Sequence, residues 1–144
     1  MAYWDTSCIV KLYAPEPNSA AFRSRLLGGD VVLTSEIARL ELWTTLRRKE
    51  AEGHLRTTGA RQALLAFDQD IRTGMITVVK FDAAVSLRFE SIVEHCLGMT
   101  PFLPLRTLDA IHLATAVVVG ANEIVATDRY LREAAKALGI SVYP

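Results

Sequence analysis

Cysteine is scarce in this chain: Cys8 and Cys96 are the two it has. Two thiols do not make the disulfide framework of a small secreted domain. Cys8 lies in an apolar run and Cys96 near the end of a helical pattern, so both are read as reduced, buried thiols of a cytosolic protein. Long apolar runs are missing as well. The longest, "LATAVVVGA" (Leu113–Ala121), contains a threonine and a glycine. It falls well short of the ~20 residues that span a bilayer. No charged-then-apolar leader opens the sequence, so no signal peptide is expected. These absences argue against a membrane location and for a cytoplasmic one. Net charge is also lacking, since 16 basic residues balance 16 acidic ones. Charge alone therefore does not point to a strongly basic nucleic-acid binder. Arginine outnumbers lysine by 12 to 4, which suits bidentate phosphate contacts and ordinary surface ion pairs alike. There is no internal repeat, no low-complexity segment and no long Pro/Gly linker.

What is present fits one domain over residues 1–144. Hydrophobic residues make up 51% of the chain, enough for a sizeable core and too many for a disordered tail. Short β-like runs alternate with longer helical ones. The runs that read as strands are Ala2–Asp5, Val31–Leu33, Ile76–Val79, Glu123–Ala126 and Ser141–Tyr143. Helical patterns cover Thr6–Ala14, Ser19–Leu27, Ser35–Glu52, Thr58–Thr73, Ala83–Leu97, Leu108–Val119 and Arg129–Leu138. Gly28–Asp30 reads as a turn and Leu97–Arg106, with two prolines, as a loop. Strands separated by helices imply crossover connections, hence an α/β fold with a mostly parallel five-stranded sheet and helices on both faces. In the long third pattern Leu40, Trp43 and Leu46 are expected to face the core, with Glu41 beside them on one side with Ile37 and Thr45. Leu64, Leu65, Phe67 and Ile71 form the apolar set of the next helix. The basic residues of this helical hairpin, among them Arg47, Arg48, Lys49, Arg56 and Arg61, read as a solvated face.

The acids carry the chemistry. Asp5 follows the first strand, Asp128 the fourth, and Asp109 lies in the first turn of its helix. Each has a plain role open to it: Asp5 and Asp128 suit helix N-caps, and Asp109 complements a helix dipole. Glu41 has no cation three or four residues on, where Thr44 and Thr45 stand. Together the four suggest more. Ligands of open α/β sheets bind beyond the carboxyl ends of the strands, at the switch point. If the first and fourth strands are neighbours, Asp5 and Asp128 are neighbours too. Crowded carboxylates repel and hold protons unless a cation joins them. Oxygen ligands point to Mg²⁺ or Mn²⁺. Such a site can activate water against a phosphodiester. Thr6, Ser7 and Thr127 flank the acids and can orient them. His112, one turn after Asp109, reads as a hydrogen-bond partner rather than a metal ligand, and Trp4 and Trp43 as core. Arg106 and Arg129 are candidates to hold substrate phosphates or simply to balance the acids.

The stretches "YWDTS", "SEIARLELWTTLRR", "LRTLDAIHLATA" and "IVATDRYLREAAKALGISV" resemble a PIN domain. More closely, the chain resembles the VapC-type toxins of toxin–antitoxin pairs. "LDAIHLATA" followed by "ATDRYLREAAKALGI" carries most of that resemblance, which extends over essentially the whole chain. It implies a three-layer α/β/α fold and metal-dependent cleavage of RNA. The family's four acids fall on Asp5, Glu41, Asp109 and Asp128, with Glu36 a poorer match than Glu41, and its first hydroxyl on Ser7. The hydroxyl often found two residues before the fourth acid is absent here, where Ala126 stands; Thr127 is the nearest substitute. The resemblance further implies a homodimer and a small antitoxin whose tail covers the acidic site. The competing readings fit less well. A haloacid-dehalogenase phosphatase needs an acid where Ser7 stands, and a receiver domain needs adjacent acids after the first strand. A non-catalytic PIN-like module that binds RNA or protein is the remaining alternative, favoured if the four acids are scattered.

Overall fold

A computed structural model describes residues 1–29 and 31–144. Five strands form one sheet: β1 (Ala2–Trp4), β2 (Val32–Ser35), β3 (Ile76–Val79), β4 (Glu123–Val125) and β5 (Ser141–Tyr143). Their order is β3-β2-β1-β4-β5, and all four pairings are parallel. The chain builds outward from β1 to β3 on one side, then returns to lay β4 and β5 on the other. The switch point therefore falls between β1 and β4. Among the described residues seven helices connect the strands: α1 (Thr6–Tyr13), α2 (Ser19–Leu27), α3 (Ile37–Ala51), α4 (Gly59–Arg72), α5 (Ala83–Gly98), α6 (Thr107–Val118) and α7 (Arg129–Ala137).

The period-two alternation of strands sorts side chains into two apolar layers. Ala2, Trp4, Val32 and Ile76 meet Ile9, Phe22, Leu42, Leu46, Leu64 and Phe67 from α1–α4 on one face. Tyr3, Leu33 and Ile124 meet Val85, Ile92, Leu113 and Leu131 from α5–α7 on the other. Cys8 and Cys96 are both buried and free, as expected. Burial and the Asp5 charge push the Cys8 thiol up to about 12, so it stays protonated and inert. Among the described residues no helix is long and apolar enough to cross a membrane.

Several expectations need correction. Leu40 is 66% exposed, and the inward stripe of α3 is Ala38, Leu42 and Leu46, with Trp43 only partly buried. A step of three residues drifts about 60° backward around a helix per turn, whereas steps of four keep closer to one face. Leu65 is likewise exposed, and Ala60 and Ala63 take inward positions beside Leu64 and Phe67 on α4. Ser35, which reads as a helix start, finishes β2 instead, together with Thr34. Sheet pairing to Val78 and Val79 claims their backbone, and Thr34 Oγ1 donates to the Trp4 carbonyl. Of the expected Gly28–Asp30 turn, Gly28 and Gly29 follow α2, and Asp30 lies outside the described residues.

Candidate active site

Three local rules place three acids at the carboxyl edge of the sheet. Asp5 ends β1: its N–H still donates to the Val125 carbonyl of β4, and its Oδ2 accepts the Ser7 N–H and hydroxyl at the start of α1. Asp128 ends the turn after β4, and its Oδ1 accepts the Leu131 N–H to cap α7. Both are therefore N-caps, and the cap leaves one carboxylate oxygen on each free for other work. Asp109 stands in the first turn of α6, a helix buried along much of its length, and is itself only 7% exposed. Glu41 reaches the same place from α3, on the flank it shares with Ile37 and Thr45. The four line one cavity of about 390 Å³. Glu36 stays outside it, its Oε1 accepting the Phe81 N–H.

The expected hydroxyls divide the work unequally. Ser7 holds Asp5. Thr6 Oγ1 donates to Glu41 Oε2 at 2.6 Å rather than to an aspartate. The Thr127 hydroxyl bonds no acid among the described residues and lies 3.3 Å from Ser7 Oγ, so it supports Asp5 at one remove. His112 is a hydrogen-bond partner, as expected: its Nε2 donates to Glu41 Oε2 at 2.7 Å, and its Nδ1 lies 2.7 Å from the Tyr3 hydroxyl.

Arg106 balances the acids, one of its two expected roles. Its Nε donates to Asp109 Oδ2 at 2.6 Å and its Nη2 to Asp128 Oδ2 at 3.1 Å. It balances the acids from the mouth of the cavity, with a side chain 72% exposed. Arg129 does not line the cavity and pairs with Glu133 one turn on, so it is not among the residues that balance the four acids. Sequence reasoning missed others. Lys11, Glu16 and Arg48 also line the cavity. Glu16 binds Lys11 and Lys49, whereas Arg48 pairs with no acid among the described residues. Helical spacing could have found both cations. Lys11 follows Ser7 by four residues on α1, and Arg48 follows Glu41 by seven on α3.

The cavity holds five acids against Lys11, Arg48 and Arg106. Burial pushes the Asp109 carboxyl up, Arg106 pulls it down, and Asp128 and Asp5 push it up again; the net effect is a rise. Burial also works against the Glu41 charge, but the His112 and Thr6 bonds outweigh it and hold Glu41 below the ordinary range. Burial disfavours charge on His112, yet Glu41 and Asp5 raise it overall. Burial is the largest cause of the Asp109 rise, and the Arg106 guanidinium does not cancel it. The donors are all carboxylate oxygens, which suits a hard divalent cation. Among the described residues no three such side chains already close around one point. The Arg106 guanidinium, bonded to both Asp109 and Asp128, supplies the positive charge there.

The sequence profile of the PIN domain matches residues 2–137. Ribonuclease VapC46 of Mycobacterium tuberculosis is 34% identical over 142 residues, which span 97% of this chain and 94% of that protein. Ribonuclease VapC35 of the same organism is 31% identical over 148 residues, spanning 99% and 95%. Among solved structures, M. tuberculosis VapC20, a sarcin–ricin loop cleaving toxin, aligns over the whole of both chains with a TM-score of 0.69 at 22% identity. FitAcB of Neisseria gonorrhoeae gives 0.68 at 18% identity, over 100% of this chain and 97% of that one.

Proposed function

The chain belongs to the PIN domain family, on its VapC ribonuclease branch, and from that premise we propose that it hydrolyses RNA phosphodiester bonds as the toxin of a toxin–antitoxin pair. The observation that carries the reading is the meeting of four acids, from four separate elements, in one cavity at the β1/β4 switch point. Asp5, Asp109 and Asp128 would hold Mg²⁺ or Mn²⁺, with Glu41 completing the acidic set. When bound, the ion supplies Lewis acidity, making a nucleophile of water at neutral pH and offsetting charge that develops on the phosphate.

The side chains of this chain do the rest. Ser7 and the Leu131 N–H anchor one oxygen each of Asp5 and Asp128, which fixes the direction of the other. Arg106 must leave its two aspartates for the ion to enter, and its exposure gives it solvent to swing into. Once displaced it is placed to meet a phosphate oxygen at the cavity mouth. Arg48, which also lines the cavity and pairs with no acid among the described residues, takes a neighbouring phosphate. An antitoxin neutralises the site by laying a basic side chain where Arg106 now lies. The chain acts in the cytoplasm as one domain and as a homodimer, with exposed Leu40 and Phe81 beside Ile111 as the apolar surface to be covered.

Arg106 bridging Asp109 and Asp128 is also what a non-catalytic binding module would show. One experiment separates the two. Purified protein is incubated with RNA under Mg²⁺, Mn²⁺ or chelator, beside Asp128→Asn. Cleavage that needs the metal and Asp128 supports the nuclease; RNA binding with no cleavage under any metal overturns it.

A further inference from the structure

We propose that Tyr3 and His112 are positioning residues that fix the direction of the Glu41 carboxylate in the cavity. The inference rests on the ribonuclease reading above. Glu41 is the one acid of the four that arrives from the helical hairpin rather than from a strand end or from α6. It has three side-chain torsions and no backbone cap to hold it. Two donors converge on its Oε2, Thr6 Oγ1 at 2.6 Å and His112 Nε2 at 2.7 Å. Oε1 accepts no hydrogen bond among the described residues and is left for the cavity. A carboxylate fixed by one oxygen presents the other in one direction, as ligands of metal sites commonly do through their outer partners.

The anchor is rooted in the sheet. His112 is 1% exposed and lies within α6. Its ring is fixed at the far side by Tyr3, whose hydroxyl lies 2.7 Å from Nδ1. Tyr3 is fully buried on β1, two residues before Asp5 in the chain. Because Nε2 donates to a carboxylate, the neutral ring offers Nδ1 as acceptor to the Tyr3 hydroxyl. The same β1 thus leads directly into Asp5 and, through Tyr3 and His112, sets the orientation of Glu41. Neighbouring Thr6 adds the second donor. An ordinary buried histidine needs its two nitrogens satisfied; it does not need a second donor, Thr6 Oγ1, to meet its Nε2 bond on the same oxygen of a cavity acid.

Two near-isosteric variants separate positioning from packing. His112→Gln keeps a donor near the Nε2 position, and His112→Asn keeps polarity near Nδ1 but cannot reach Glu41. The readouts are thermal stability, the Mn²⁺ dissociation constant by calorimetry, single-turnover cleavage, and crystal structures of both metal-free variants. His112→Gln should stay within about threefold of wild type in Mn²⁺ affinity. His112→Asn should lose about 10- to 100-fold in Mn²⁺ affinity or in kcat, with KM for RNA unchanged and Glu41 spread over several conformers. Tyr3→Phe should lie between them. Equal losses in the Gln and Asn variants that track their stability, or one shared Glu41 conformer in both, would overturn the proposal. If wild type neither binds Mn²⁺ nor cleaves RNA, the ribonuclease reading fails alone, because the crystal structures still decide whether His112 orients Glu41.

Discussion

Replacing Arg106 by glutamine tests whether its guanidinium holds the place of a metal ion. Two contacts are lost, to Asp109 and to Asp128. Exposed ion pairs contribute about 0.2–1 kcal/mol each, and the Arg106 side chain is 72% exposed. The Asp109 side chain, however, is only 10% exposed. Leaving a mostly buried charged group without its partner costs about 1–3 kcal/mol. Protonation caps that cost, since the Asp109 carboxyl is already raised. A net loss of about 1–3 kcal/mol in metal-free buffer near pH 7.5 follows. For a chain of 144 residues that lowers Tm by roughly 3–10 °C. Added Mg²⁺ stabilises the folded state by about 2.7 kcal/mol at one hundred times its dissociation constant. In the variant no guanidinium competes for the site, so its Mg²⁺-induced Tm gain exceeds that of wild type and the two melting curves converge at high Mg²⁺. Cleavage at saturating Mg²⁺ still falls, because a phosphate contact is gone. Scanning fluorimetry across a Mg²⁺ series reads the stability effects directly. Equal metal-free Tm values, or a Mg²⁺ gain no larger in Arg106→Gln, would refute the reasoning.

Asp5→Asn keeps an N-cap acceptor for the Ser7 N–H, so metal-free stability should change by less than about 1 kcal/mol while most of the Mg²⁺-induced Tm gain disappears. A large metal-free loss would make Asp5 a cap only. Asp109→Ala should abolish RNA cleavage and relieve growth arrest on expression, with the fold retained by circular dichroism. The Glu41–His112 bond makes stability depend on pH. The raised His112 contributes fully below about pH 6.5, and its contribution fades as pH rises through its folded value. The lowered Glu41 contributes above about pH 4.3, and that is lost as pH falls through its folded value. The Tm difference between metal-free wild type and His112→Gln should therefore be largest between those limits and shrink on either side. A difference that is flat across pH 4 to 9 would contradict this. Cys8 and Cys96, both buried, should react with a thiol reagent only after unfolding.

How far the site was legible varied with the range of the interactions that build it. Asp5, Asp109 and Asp128 stand at strand ends and a helix start, and local rules reach such positions. Their convergence followed once β1 and β4 were placed side by side. The apolar stripe of α3 is not legible from its large residues alone, because Ala38 packs inward while Leu40 points to solvent. Arg48 was assigned to the solvated face although its spacing from Glu41 and Thr45 already put it on the cavity side. Arg129 follows Asp128 directly, but sequence adjacency on a helix start sends the side chain elsewhere, to Glu133. The Tyr3–His112–Glu41 line had no local signal at all, since its members are separated by 109 and 71 positions. Only the packing of α6 and α3 against the sheet brings them together.

The central claim is that carboxylates at the β1/β4 edge use a divalent ion to turn water on an RNA phosphodiester. End-group analysis of cut RNA tests it most directly. Water as nucleophile leaves the ribose 2′-hydroxyl out of the reaction. The products should therefore carry 5′-phosphate and 3′-hydroxyl ends, formed with Mg²⁺ or Mn²⁺, absent with chelator and not restored by Ca²⁺, whose looser shell orients ligands poorly. Cleavage that persists in chelator, or products ending in 2′,3′-cyclic phosphate, would contradict it.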